Sequence, residues 1–280
     1  MLKQVQHDGL VKMNILDKIV LRKKEEVAAA KALVSVQDLE NSLHFKRTPY
    51  SFKEFLLAED RTGIIAEFKR RSPSKGLING IADVAEVTQA YNAAGASALS
   101  VLTDVDFFGG KTDDILAARA ANHIPILRKD FMIDEYQILE AKAWGADIIL
   151  LIASILTPQQ INDFGRFAKD LGLNVLLEVH NLEELERSIC PNLDAIGVNN
   201  RNLGDFTVDI QTSFDLVNKI PGEFLKISES AISNPQTIKD LKAAGFNGFL
   251  IGENFMKTDN PGVAIKEFVG QISLYKPYRY

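Results

Sequence analysis

Cysteine is nearly missing from this chain of 280 residues. Cys190 stands alone, so no intrachain disulfide can form and no thiolate cluster can gather a metal. The four histidines, His7, His44, His123 and His180, show none of the paired spacing of a metal site. No apolar run reaches the length that crosses a bilayer, and the N-terminus lacks the apolar core of a signal peptide. A basic excess is also lacking: 32 Lys and Arg against 37 Asp and Glu leave a net charge of −5, which argues against nucleic acid as a principal partner. These absences leave a cytoplasmic protein with neither a membrane nor a nucleic-acid partner as the expectation. The 46% hydrophobic content is enough to bury one large core or two modest ones.

What is present is a repeated grammar. Short β-like runs occur at Ile64–Phe68, Ala98–Leu102, Ile124–Leu127, Ile148–Ile152, Val175–Val179, Ala195–Val198, Phe224–Ile227 and Phe249–Ile251. Helical patterns lie between them, at Val84–Ala94, Thr112–Asn122, Asp134–Trp144, Pro158–Asp170, Leu182–Ile189, Ile210–Asn218 and Pro235–Ala244. Several of these helices stop at a glycine before the next strand, as at Gly95, Gly145, Gly172 and Gly245. Strand–helix alternation means parallel pairing with helical crossovers. Eight such units predict an α/β fold, a closed (β/α)8 TIM barrel. An open doubly wound sheet is the competitor, but it calls for a glycine fingerprint after the first strand, and Arg70-Arg71-Ser72-Pro73-Ser74-Lys75-Gly76 is not one.

Ahead of the barrel, the narrow stripe Ile15, Ile19 and Val27 predicts a charged helix from Asn14 to about Lys31, and Phe52, Phe55 and Leu56 predict a second. Residues 13–62 are therefore read as a helical extension and residues 63–280 as the barrel, in one domain. Met13-Asn14-Ile15-Leu16-Asp17 looks like a natural start, so residues 1–12 are expected to be an added or variable extension.

The densest chemistry follows the first strand. Glu67 and Lys69 are two apart, so on a strand both point to one face, and charges aimed inward from a buried strand are costly unless they meet a polar site. Ser72, Pro73, Ser74, Lys75 and Gly76 then make a loop suited to a phosphate or carboxylate, although a solvated surface loop has the same composition. Barrel active sites gather at the C-terminal strand ends. Those ends here carry Glu67 and Lys69; Thr103 and Asp104; Lys129 and Asp130; Ser154; Glu178 and His180; Asn199 and Arg201; Ser228, Glu229 and Ser230; Gly252 and Glu253. Polar residues commonly end strands, but that habit explains poorly so many charges on one rim. The crowding of Lys69, Lys129 and Arg201 is expected to lower a lysine pKa and to attract an anion.

In these motifs the chain resembles indole-3-glycerol-phosphate synthase. The resemblance rests on Ile65-Ala66-Glu67-Phe68-Lys69 with Ser72-Pro73-Ser74-Lys75-Gly76, Ser100-Val101-Leu102-Thr103-Asp104, Leu127-Arg128-Lys129-Asp130-Phe131, Leu177-Glu178-Val179-His180, Asn199-Asn200-Arg201-Asn202-Leu203, Ser228-Glu229-Ser230 and Leu250-Ile251-Gly252-Glu253. It runs in order from about Asn14 to the C-terminus. It implies closure of 1-(2-carboxyphenylamino)-1-deoxyribulose 5-phosphate to indole-3-glycerol phosphate with loss of carbon dioxide and water, in tryptophan biosynthesis, with neither cofactor nor metal.

By the same resemblance, Lys129 is the general acid on the ribulose carbonyl and Glu178 the second acid–base group, acting in the dehydration. Lys69 pairs with a substrate anion and shares in proton transfer, while Glu67 and Asn199 complete the catalytic set. Arg201, Glu229 and Ser230 bind substrate. Ser72, Lys69 and the backbone at Ala231, Gly252 and Glu253 hold the phosphate. Phe108, Phe131, Leu150 and Leu203 line the place of the aromatic ring, although plain core packing fits these four equally well. The only partner implied is a small phosphorylated substrate. A monomer is expected, with other tryptophan-pathway enzymes as the associates to consider. The chain departs from the family pattern at Ala231, where glycine is usual, and at Asn254, where serine is more common. A phosphoribosylanthranilate isomerase-like barrel and a noncatalytic anion-binding barrel are the alternatives. The first typically uses a Cys–Asp pair, and Cys190 is not at the first strand's end; the second has no need of Lys129 and Glu178.

Overall fold

The computed structural model describes residues 13–273; the expected 1–12 extension lies outside them. Eight parallel strands close on themselves: β1 (Ile64–Phe68), β2 (Ala98–Leu102), β3 (Ile126–Lys129), β4 (Ile148–Ile152), β5 (Asn174–Val179), β6 (Ala195–Asn199), β7 (Leu225–Glu229) and β8 (Gly248–Ile251). Each pairs with the next, and β8 pairs back to β1 through Ile64–Phe249, Ile65–Leu250 and Ala66–Ile251. The barrel and its interstrand helices match the sequence expectation closely, with shifts in two strands: the seventh runs two residues beyond the expected Ile227, to Glu229. The third strand starts after Pro125 and runs through Arg128 and Lys129, two residues beyond the apolar run. Arg128 sits there because its side chain faces outward, where it donates to the Gln137 carbonyl (2.7 Å) and to Glu140 (3.0 Å) and stacks on Trp144.

Alternation sorts every strand into two faces. Ile64, Ala66, Leu99, Val101, Ile149, Leu151, Leu177, Ile196 and Phe249 face the helix layer and form the larger core. Ile65, Ala98, Leu127, Ile148, Leu150, Leu176, Ala195, Ile227 and Leu250 fill the barrel. Helices end where a left-handed residue allows it, as at Gly245 with φ +111°. Cys190 lies past the end of its helix, Leu182–Ser188, rather than on it.

The extension forms α1 (Ile15–Leu33), α2 (Val36–Glu40) and α3 (Phe52–Leu57); α2 went unread in the sequence because five residues carry no period. α1 begins in a capping box between Asn14 and Asp17. Its Ile19 joins the barrel-filling cluster, as do Phe52 and Leu56 of α3.

Between Ile19 and Val27 on the same stripe sits Lys23, only 3% exposed. Its ammonium lies 2.9 Å from both Asp104, beyond β2, and Asp130, beyond β3, and 2.6 Å from Glu26. Asp104 also accepts the Phe107 and Phe108 amides, so one lysine ties the extension to two loops at the barrel mouth. Lys23→Met leaves buried Asp104 without a cation, while Asp130 keeps Arg128 at 3.3 Å, and the loss of one partner of a buried pair costs about 3–5 kcal/mol. Urea unfolding at neutral pH should show that loss; a change below about 1 kcal/mol would mean that the anchor is not needed.

Candidate active site

Barrel interiors are filled in layers of four side chains drawn from alternate strands. Near the mouth one such layer is charged: Glu67 from β1, Lys129 from β3, Glu178 from β5 and Glu229 from β7. Lys129 Nζ lies 2.8 Å from Glu178 Oε2 and 2.9 Å from Glu229 Oε2. Lys69, beyond the end of β1, pairs with Glu67 at 2.7 Å. Two glycines make room for this ring. A Cβ on Gly197 would sit 2.2 Å from Glu229 Oε1, and one on Gly252 would sit 2.5 Å from Glu67 Oε1.

Lys69, Lys129 and Arg201 line one cavity, as the sequence suggested, but each is paired with a carboxylate, so the expected lowering of a lysine pKa does not appear at Lys129. Lys69 faces Glu67, Lys129 faces two carboxylates, and Arg201 lies 3.4 Å from Glu253. Burial pulls the Lys129 pKa down, but Glu178, Glu229 and Glu67 outweigh it and the net shift is upward. Burial raises the two carboxylates also, with different outcomes. Glu178 is held well below the usual range by Lys129 and His180. Glu229 is pushed up, because Lys129 only partly offsets burial and repulsion from Glu178 and Glu67.

Asn199 joins the ring from β6. Its amide donates to Glu178 Oε1 (3.2 Å), and its oxygen accepts from Ser230 Oγ (2.9 Å) and the Arg201 N–H (3.0 Å). Phe108, Phe131, Leu150 and Leu203 line one cavity with the charged ring, and the Phe108 and Phe131 rings are 5.9 Å apart. Ser72 and Glu253 reach the same cavity. Ala231 and Gly252 line an adjoining cleft with Ser230, Arg201, Lys69 and Asn254. Every candidate residue thus falls on one of two contiguous surfaces at the barrel mouth. Of the wider rim, Ser154 and His180 line a separate polar cavity, Thr103 and Asp104 turn to Asp130 and Lys23, and Ser228, one residue out of phase with Glu229, faces outward and bonds to Asn200 and Ser213.

Ser230 and Ala231 have φ of +66° and +61°. For a residue with a Cβ this left-handed backbone costs roughly 1–2 kcal/mol, so Ala231 carries strain that glycine would not. Residues missed in the sequence also line the cavity: Ile15, Leu16 and Ile19 from α1, and Phe206, itself at φ +62°. Ile15 and Ile19 were within reach through the stripe of α1; Leu16, off that stripe, and Phe206 left no signal. No group of three or more His, Cys, Asp and Glu is placed to hold a metal among the described residues, and no helix there is long and apolar enough to cross a membrane.

A closed (β/α)8 barrel with one ammonium among buried carboxylates, a wall of apolar side chains and a basic cleft alongside defines an acid–base enzyme acting on a small anionic molecule. Residues 16–268 match the family described as indole-3-glycerol phosphate synthase, and the chain belongs to that family of decarboxylating lyases in tryptophan biosynthesis. The indole-3-glycerol phosphate synthases of Bacteroides thetaiotaomicron and Bordetella pertussis are 48% and 41% identical to it, over 92% and 91% of this chain and 99% of each relative. That of Laribacter hongkongensis is 43% identical over 90% of this chain and 97% of its own. The solved N-acetylmannosamine-6-phosphate 2-epimerase from Clostridium perfringens shares the fold alone, with TM-score 0.54 at 15% identity over 71% of this chain and 90% of its own. The family match sets aside the isomerase-like and noncatalytic alternatives.

Proposed function

We propose that this chain closes the pyrrole ring of indole-3-glycerol phosphate from 1-(2-carboxyphenylamino)-1-deoxyribulose 5-phosphate, with Lys129 and Glu178 as its acid–base pair. One observation carries the reading: a buried ammonium held within 3 Å of two carboxylates, beside an apolar wall. As the ring carbon bearing the carboxylate attacks the ribulose carbonyl, negative charge grows on its oxygen. Lys129 stabilises that charge and passes its proton as the oxygen becomes a strongly basic alkoxide, so a raised lysine pKa does not prevent transfer. Carbon dioxide then leaves, which restores the aromatic ring. Loss of the new hydroxyl requires a proton to leave the carbon between it and the nitrogen; Glu178, kept ionised, is placed to accept that proton and return it to the departing hydroxyl, so that water leaves and the indole double bond forms.

Lys69 meets a substrate anion, with Glu67 and Asn199 holding the lysines and Glu178 in register. Arg201, Glu229 and Ser230 bind the polar chain. Ser72 and the backbone at Ala231, Gly252 and Glu253, with Lys69, form the phosphate cleft. Phe108, Phe131, Leu150 and Leu203 take the aromatic ring. α1, which contributes Ile15, Leu16 and Ile19 to the cavity, serves as a partial lid that excludes water. We take the protein to be a cytoplasmic monomer, with other tryptophan-pathway enzymes as its associates. Incubation of the purified protein with the carboxyphenylamino substrate should give the indole fluorescence of the product; no product at saturating substrate would overturn the reading.

A further inference from the structure

His180 follows the last residue of β5 and stands behind Glu178. Its Nε2 lies 3.4 Å from Glu178 Oε1, the oxygen that Asn199 also meets, while Lys129 holds Oε2. On its other side Nδ1 lies 3.1 Å from Glu184 Oε2. Glu184 is fixed independently of the ring: its backbone N–H donates to the Asn181 cap, and its Oε2 accepts the His180 backbone N–H at 2.8 Å. The histidine side chain is 11% exposed, so the imidazole is wedged between two carboxylates with little water to screen them. Burial lowers its pKa, but Glu178 and Glu184 outweigh burial and raise it to about 10, so the ring carries a charge at neutral pH.

The consequence appears when the two carboxylates beside Lys129 are compared. Glu178 accepts from Lys129 and Asn199, and the His180 ring stands 3.4 Å from its Oε1 as an ion pair without a hydrogen bond. Glu229 has Lys129, while its Oε1 is buried without a hydrogen-bond partner. Two carboxylates sharing one ammonium cannot both ionise freely, and the better-solvated one keeps the charge. We infer that His180, held by Glu184, is a positioning residue that makes Glu178 the ionised member of the pair and leaves the shared proton to Glu229.

The other charged groups are in accord. Lys129, Glu229 and Glu67 face Glu178 from β3, β7 and β1, and Arg187 on the Leu182–Ser188 helix acts on Glu184. Arg201 and Asp209 line the polar cavity on the far side of His180, where neither makes an ion pair with the ring. Glu184 is thus the carboxylate that sets the charge of His180 from behind.

This inference rests on the reading of Glu178 as the acid–base group, and a pH series on three variants separates the two. H180N removes the cation at little change in bulk. Along the acid limb of kcat, turnover at a given pH should fall about tenfold with KM changed less than about threefold, because the limb moves up by about one pH unit and one unit is a tenfold change in ionisation; at pH 7, where Glu178 stays ionised, turnover should change little. E184Q keeps the imidazole and the capping acceptor but removes the anion behind it. The imidazole is then less firmly held and less firmly charged, so the acid limb should move the same way as in H180N but by less. Circular dichroism confirms folding of each variant, and the surface-proximal E184Q decides the matter if H180N does not fold. Uniform loss with unmoved limbs, or an acid limb that moves downward in either variant, would show a structural role and overturn the inference. E178Q is the control: if it turns over normally, the reading of Glu178 fails; if it is inactive while the H180N and E184Q profiles stay unmoved, only the inference about His180 fails.

Discussion

Lys129→Met should leave a folded barrel with almost no turnover. Methionine keeps the length and apolar stem of lysine, so the walls of the cavity stay in place. Without the ammonium, Glu178 and Glu229 face each other across a buried site, and one of them takes up a proton to relieve the repulsion. The substrate carbonyl then meets no cation as its oxygen becomes negative. Loss of a general acid is worth roughly 100- to 10,000-fold, and loss of the charge that stabilises the alkoxide adds to that. Turnover at saturating substrate is the measurement, with circular dichroism to confirm folding. Retention of more than about a tenth of the original rate would show that the acid is elsewhere.

Glu178→Gln should divide binding from chemistry. The residue lines the main cavity and not the adjoining cleft proposed for the phosphate, so substrate should still bind at close to its normal concentration dependence. Turnover should fall roughly 100- to 10,000-fold, because an amide cannot accept the proton released in dehydration. The variant also carries a structural penalty. Lys129 and Asn199 both donate to Glu178, and Asn199 is fixed by Ser230 and the Arg201 N–H on its own oxygen. A glutamine amide must therefore turn its NH2 toward one of two donors, at a cost of about 1–3 kcal/mol in stability. A variant with normal turnover at saturation and weakened affinity would make Glu178 a binding residue.

Much of this architecture is readable without coordinates because the relevant signals are local. A parallel strand buried on both faces must be apolar, a crossover helix must repeat at about 3.6 residues, and a helix that ends sharply needs a residue free to turn left-handed. Once eight such units are counted, the rule that barrel chemistry sits at the C-terminal strand ends puts Glu67, Lys129, Glu178, Asn199 and Glu229 on the candidate rim, and the family resemblance picks them out from the other polar residues there. Lys23 shows where the local signal stops. It falls on the apolar stripe of α1, four residues from both Ile19 and Val27, yet a lysine on a charged helix reads as solvated until Asp104 and Asp130 arrive from two other segments.

The sequence by itself determined the order of the strands, which face of each is inward, and which charged side chains stand at their ends, since period and position along one segment decide those things. Only the tertiary structure decided who meets whom. Barrel closure and its stagger set Lys129 level with Glu178 and Glu229 rather than beside Lys69 and Arg201, which turned an expected depression of its pKa into an elevation. They also set His180 behind Glu178 and put Ser230 and Ala231 into left-handed backbone beside the basic cleft. Electrostatic energy depends on distances of a few ångströms between segments far apart in the chain, and only the closed barrel fixes those distances.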